Sequence, residues 1–334
     1  MQRALICVLV IGCGDSGGEA TPPDAARDAA PTSCAAATPW ASAPDLALGP
    51  TQETAVVAVG GKLYVLGGFA QPAGGSLAIV RAVQIFDPVA CAWSMGPELP
   101  KPIHHANAGV VDGTIYVLGA LETTSFTATG ETWAWNPATD AAWSPRTVMP
   151  AGTQRGAAVV GAIAGKLYVA GGLRNGAVAD VSVFDPGANA WTALPALPEP
   201  RDHGCGGSIA GKLYVAGGRQ ATITSTSPKL FEYTPDGAWA ERAAMPTGRG
   251  GTACGVIDDR LIVVGGEGNP ATATGVYPQV EAYAASTNTW STLAAMPTPR
   301  HGMGAAAIDG KLHVPGGATR QGFGAVATYE VLTP

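Results

Sequence analysis

The apolar and polar positions of this chain fall into short recurring words rather than long stripes. Gly61-Lys62-Leu63-Tyr64-Val65-Leu66 sets bulky apolar residues between a glycine turn and the doublet Gly67-Gly68. Small and bulky residues alternating between turn signals predict short, half-buried strands. The phrase recurs at 113–120, 165–172 and 211–218, and in weaker copies at 259–266 and 310–317. Its last glycine falls at 68, 172, 218, 266 and 317, with Ala120 in that place in the second copy. A second word lies between the phrases: Phe86-Asp87-Pro88 before Trp93, Trp135-Asn136-Pro137 before Trp143, and Phe184-Asp185-Pro186 before Trp191. Tyr233 before Trp239 and Tyr283 before Trp290 continue it. The glycine pair marks backbone with positive φ or close approach, and the Asp-Pro or Asn-Pro step marks a turn. Each Trp offers a large surface for burial and an N–H that needs a partner.

The period is close to 50 residues, and self-similarity at such a spacing marks a repeat architecture. These words resemble the Kelch repeat, over residues 40–334. The resemblance implies an all-β fold, a Kelch-type β-propeller in which each repeat is a four-stranded blade. Six doublet positions and six phased Trp residues make six blades. After Gly317 the chain has room for one further strand, about 325–331, and no Trp, while Trp40-Ala41-Ser42-Ala43-Pro44 precedes the first doublet without a blade of its own. An N-terminal strand is therefore expected to complete the last blade and to protect its edge.

Ahead of the repeats, Arg3 and the apolar run 4–11 lead into Val10-Ile11-Gly12-Cys13. This resembles the lipobox of bacterial lipoproteins, with Val10 where that pattern prefers Leu. The resemblance implies a signal peptide over 1–12 and a lipid on Cys13; an ordinary secretory signal followed by a coincidental Cys is the alternative. Residues 13–38 are small, polar and acidic, with little apolar surface to bury, and read as a tether. Residues 39–334 are then the propeller. The expected location is extracytoplasmic and membrane-anchored, periplasmic or at the cell surface.

A net charge of −6, with 19 Lys and Arg that form no cluster, lacks the footprint of a nucleic-acid binder. Three motifs are decoys. Gly14-Asp15-Ser16-Gly17-Gly18 matches a protease nucleophile motif without a protease domain. Gly12-x-Gly14-x-x-Gly17 follows the signal peptide, not a strand. At 206–212 a near P-loop is followed by Leu213 where Ser or Thr is needed. Kelch-type propellers also occur in copper radical oxidases, whose chemistry needs Tyr and His ligands, and in periplasmic sialic-acid mutarotases. The five histidines are His104, His105, His203, His301 and His313. On a strand the adjacent His104 and His105 would point to opposite faces, and His313 stands where the repeat has Tyr. No metal, cofactor or catalytic residue is assigned.

What recurs on one face is basic. Arg155, Arg201, Arg249 and Arg300 stand just past the proline between blades, with His104 and His105 placed as their equivalents in the second repeat. The loops 69–80, 121–130, 220–228 and 268–278 fall on the same side, with Arg174, Arg219 and Arg320. A ring of guanidinium groups favours carboxylates or sulfates, so the expected partner is a protein or an acidic glycan, bound by a monomer. The structural alternative is that each Arg bonds backbone carbonyls. Cys205 and Cys254 fall one step out of phase in the inner strands of adjacent blades and look at each other. They are expected as a disulfide or as two buried thiols, and Cys34 and Cys91 are the remaining pair. The function expected is a lipid-anchored binding protein. A carbohydrate-active enzyme, mutarotase-like or oxidase-like, and a non-catalytic surface module are the alternatives.

Overall fold

The computed structural model describes residues 39–71 and 75–334. The expected signal peptide, the expected lipid site Cys13 and the expected tether lie outside them. Among the described residues the chain forms six four-stranded antiparallel sheets and one small three-stranded sheet. The first sheet runs Ala55–Val59, Lys62–Leu66, Val83–Asp87 and Ala92–Met95 in chain order. The next four follow the same plan. The innermost strands of the six sheets touch in sequence, and the last of them, Ala306–Ile308, touches Ala55–Val59, which closes the cycle.

The closing sheet is built from both ends of the described chain. Ala306–Ile308, Lys311–Pro315 and Tyr329–Leu332 are completed by Trp40–Ala43, with Trp40 opposite Leu332 and Ala43 opposite Tyr329. The expected N-terminal strand is in place.

Burial departs from the expected alternation. Leu63, Tyr64, Val65 and Leu66 are all buried, as are Leu167 to Ala170 and Leu261 to Val264. A second strand has a neighbouring sheet on both faces, so each face must be apolar. Alternation is replaced by a gradient, since the outer strand Ala92–Met95 is largely exposed. The doublet Gly67-Gly68 adopts φ of 58° and 99°, and a Cβ on Gly67 would stand 2.5 Å from the carbonyl oxygen of Ile103. The segment expected as a loop at 121–130 is instead the end of a long hairpin, Thr114–Glu122 with Thr127–Trp135, turning at 123–126.

Each phased Trp ties its sheet to the preceding one. Trp93 Nε1 donates to the carbonyl of Pro44, Trp143 to Pro97, Trp191 to Thr147, Trp239 to Pro195 and Trp290 to Ala243, at 2.7–3.0 Å. Trp40 completes the series by donating to Ala294. Nearer the axis, Cys205 and Cys254 form a disulfide between the inner strands Cys205–Ile209 and Ala253–Ile257.

Candidate functional site

At one mouth of the axis the six repeats join through a ring of backbone hydrogen bonds. His105 N donates to the carbonyl of Glu53, Ala157 to His105, His203 to Ala157, Gly251 to His203, Gly302 to Gly251, and Glu53 back to Gly302, at 2.5–3.1 Å. All six residues are left-handed, with φ between 49° and 65°. Four are not glycine (Glu53, His105, Ala157 and His203), and left-handed residues that carry a Cβ are strained and cluster at functional sites. The left-handed turn also explains why His104 and His105 do not point to opposite faces. They are not on a strand, and their Nδ1 atoms lie 2.5 Å apart.

Ring residues and their neighbours meet in one buried polar cluster. Glu53 Oε2 is 3.0 Å from His105 Nε2. Asp202 Oδ1 lies 2.5 Å from His203 Nδ1 and 3.0 Å from Arg219 Nε. Arg219 also reaches Glu267 at 2.6 Å and His203 Nε2 at 2.9 Å. His301 Nδ1 faces Glu267 at 3.5 Å. Burial would raise the Glu53 carboxyl, but interaction with His105, His301 and His203 holds it far below the usual carboxylate range. Burial likewise opposes ionisation of Asp202, and His203 and Arg219 override it. Burial, with repulsion from His105, pushes His104 down to about 4, and burial with Arg219 nearby also lowers His203. A cavity of about 90 Å³, lined among others by Glu53, His105, His203 and Thr252, opens here. A second of about 200 Å³ continues along the axis between small residues such as Ala106, Ala158 and Gly204.

The four expected arginines are not at this mouth. Arg155, Arg249 and Arg300 are 0% exposed and Arg201 is 2% exposed. Arg155 donates to the carbonyls of Gly171 and Val169 and to Ser182. Arg249 donates to Gly265 and pairs with Glu281. Arg201 donates to Gly217 and pairs with Glu199, and Arg300 donates to Val314 and pairs with Glu330. Arg155, Arg201 and Arg249 reach the first carbonyl of the next glycine doublet, where no Cβ shields it, and Arg300 reaches Val314 two residues before its doublet. These side chains are struts, which corrects the expectation that Arg155, Arg201, Arg249 and Arg300 contact a ligand. Their counterpart in the second repeat is Ile103, not His104 or His105. Gly68 N donates to Ile103 O just as Gly172, Gly218 and Gly266 donate to Arg201, Arg249 and Arg300.

Sequence reasoning missed Glu53 and Asp202. The signal was present, because every ring residue lies fifteen positions before the end of the glycine phrase, as 53 does from 68 and 105 from 120. With Glu53, Asp202 and Glu267 against Arg219, the mouth carries an excess of carboxylate rather than the expected positive ring.

Residues 50–100, 154–198 and 248–297 match the Kelch motif. The protein is a Kelch-type β-propeller. Kelch-like protein terF of Aspergillus terreus is 35% identical over 312 residues, covering 88% of this chain and 66% of the relative. Kelch-like protein 23 of Homo sapiens is 26% identical over 260 residues, which is 77% of this chain and 36% of that protein. This propeller thus spans slightly under two thirds of the first relative and about a third of the second. N-acetylneuraminate epimerase of Pasteurella multocida is 28% identical over 292 residues, 70% of this chain and 72% of the relative. The solved structure of YjhT superposes with a TM-score of 0.70 at 17% identity, covering 86% of this chain and 95% of that one. It shares the propeller fold.

Proposed function

We propose that this propeller is an extracytoplasmic interaction protein that presents the loop face around its axial mouth to a protein partner. The observation that carries the reading is an apolar rim beside the polar centre. Leu77 and Phe323, 40% and 45% exposed, line one groove of about 320 Å³ with Gln52, Gln71 and Arg320. Phe323 packs edge-on against Phe69 at 5.2 Å, and Phe69 packs on His104 at 4.3 Å. Aromatic anchors flanked by polar groups that exclude water are the usual source of binding energy in protein interfaces. The Kelch-type fold supports an interaction role. The Cys205–Cys254 disulfide supports an oxidising compartment, and the lipobox-like residues 10–13 support a lipid on Cys13. A partner recovered by cross-linking on intact cells should bind the purified full-length protein saturably and bind Phe323→Ser at least tenfold more weakly. Equal binding of the two would remove the loop face from the reading. Acyl mass on Cys13, measured on the mature protein, tests the anchor.

A second reading, a sugar-acid epimerase, is favoured by the buried Asp202–His203 pair beside Arg219 and by the relative named N-acetylneuraminate epimerase. A histidine held by a carboxylate can move a proton to and from a hemiketal oxygen. Accelerated interconversion of N-acetylneuraminate anomers by the wild type, and not by His203→Asn, would favour catalysis over binding.

A further inference from the structure

Three histidines at the axial mouth are locked by their outer hydrogen bonds into tautomers that leave one inner nitrogen lone pair each, which faces a carboxylate at His105 and His301 and the Arg219 guanidinium at His203. His104 Nε2 lies 2.9 Å from the carbonyl oxygen of Thr123, which can only accept, so Nε2 carries the proton and Nδ1 is an acceptor. His105 Nδ1, 2.5 Å from His104 Nδ1, must then donate. This leaves the lone pair of His105 Nε2 aimed at Glu53 Oε2, 3.0 Å away. His203 donates from Nδ1 to Asp202, which leaves its lone pair on Nε2. His301 donates from Nε2 to the carbonyl of Arg320 at 2.9 Å. Its Nδ1 is buried without a hydrogen-bond partner among the described residues, 3.5 Å from Glu267 and 3.8 Å from Glu53. A nitrogen lone pair and a carboxylate repel unless a cation stands between them.

We propose that the axial mouth binds a zinc-class divalent cation through Glu53, His105 and His203, with His301 Nδ1 beside them. The ligand atoms of the first three lie within 4.8 Å of one another. Two imidazole nitrogens and one carboxylate suit zinc and its neighbours and leave a coordination position open toward the cavity. Each ring has the outer partner that metal-binding histidines use to fix their orientation: His104 and Thr123 for His105, Asp202 for His203, and the Arg320 carbonyl for His301. The electrostatics agree, because the three carboxylates Glu53, Asp202 and Glu267 have one guanidinium among them in the described residues, that of Arg219 on Asp202 and Glu267. Arg219 Nη2 stands 2.9 Å from His203 Nε2, where the ion would bond. It can yield that contact and keep Asp202 and Glu267. Gly302 makes room, since a Cβ there would lie 2.4 Å from Glu53 Oε1. The site goes beyond partner binding and stands whichever ligand the loop face takes.

The test uses the full-length protein stripped with chelator and titrated with Zn²⁺ alone by calorimetry, and with Co²⁺ by absorption. One equivalent should bind, with the visible bands of low-coordinate Co²⁺. Asp202→Asn, which changes only an outer partner, should weaken binding about 10–100-fold, and Glu53→Gln should weaken it at least tenfold. Imidazole nitrogen NMR of the wild type needs no variant, so it decides the matter if either substitution prevents folding. Zn²⁺ should shift His105 Nε2 and His203 Nε2. Absence of stoichiometric binding would mean that protons alone bridge these groups, and undiminished binding by Glu53→Gln would place the metal elsewhere. Either result, or unmoved imidazole resonances, overturns the proposal.

Discussion

Trp40 Nε1 donates to the carbonyl oxygen of Ala294 at 2.9 Å, which bonds the closing sheet to the one before it. The strand Trp40–Ala43 is thus held from two sides, by Tyr329–Leu332 along its backbone and by the neighbouring sheet through its Trp. Trp40→Phe keeps an aromatic ring and removes the donor, so it should cost about 1 kcal/mol. Deleting residues 39–46 should cost considerably more, because it bares the edge of the closing sheet. Denaturant unfolding compares the three proteins. A truncated chain as stable as the full one would show that this strand does not close the ring.

Arg249 is wholly buried and paired with Glu281. Arg249→Ala would leave that carboxylate buried without its countercharge, a change that typically costs about 3–5 kcal/mol. A surface Arg serving only a ligand would change stability by no more than about 0.5 kcal/mol. Thermal and denaturant unfolding of Arg249→Ala separate the two, and a variant of wild-type stability would restore the arginine to the binding surface.

The Cys205–Cys254 bridge closes a loop with a sequence separation of 49. Replacing both residues by Ala should lower stability by about 2–4 kcal/mol. Reductant should destabilise the wild type more than the double variant, by about the margin that separates the two when oxidised, which unfolding with and without reductant measures.

His313 is buried, and its Nδ1 lies 2.5 Å from the hydroxyl of Tyr329. Burial holds its pKa down at about 4, against 6.5 for an ordinary histidine. As pH falls below 6.5 the unfolded chain takes up a proton that the folded chain refuses until about 4. Stability should therefore decline across that window, with the loss complete below it. His313→Gln, neutral throughout and still able to accept from Tyr329, should show a smaller decline between pH 7 and pH 4. Parallel curves for the two proteins would contradict the assignment.

The strands and the closure were legible because glycine doublets, Asp-Pro steps and phased Trp residues are local signals. The burial of Leu63 to Leu66 on both faces was not, since it depends on neighbouring sheets that contribute from about 50 residues away. The arginines were legible as a phase but not as struts. A repeated charge looks the same in sequence whether it meets solvent or the carbonyl of Gly171, Gly217 or Gly265. His104 and His105 were placed against the arginines of other repeats, whereas the fifteen-residue offset aligns His105 with Glu53 and His203. Because ring chemistry changes from repeat to repeat, side-chain identity hid a register that spacing alone carries.

The closed circuit of amides through Glu53, His105, Ala157, His203, Gly251 and Gly302 uses main-chain atoms alone. What joins the repeats is therefore separate from what the mouth can do chemically. Each repeat contributes one interchangeable slot, and three slots, Ala157, Gly251 and Gly302, are almost blank. A Cβ at Gly251 would meet Glu267 and His301 no closer than 3.3 Å, a tight but movable fit. A lineage, or an engineer, could rewrite the reagents of this mouth one slot at a time while the scaffold stayed shut.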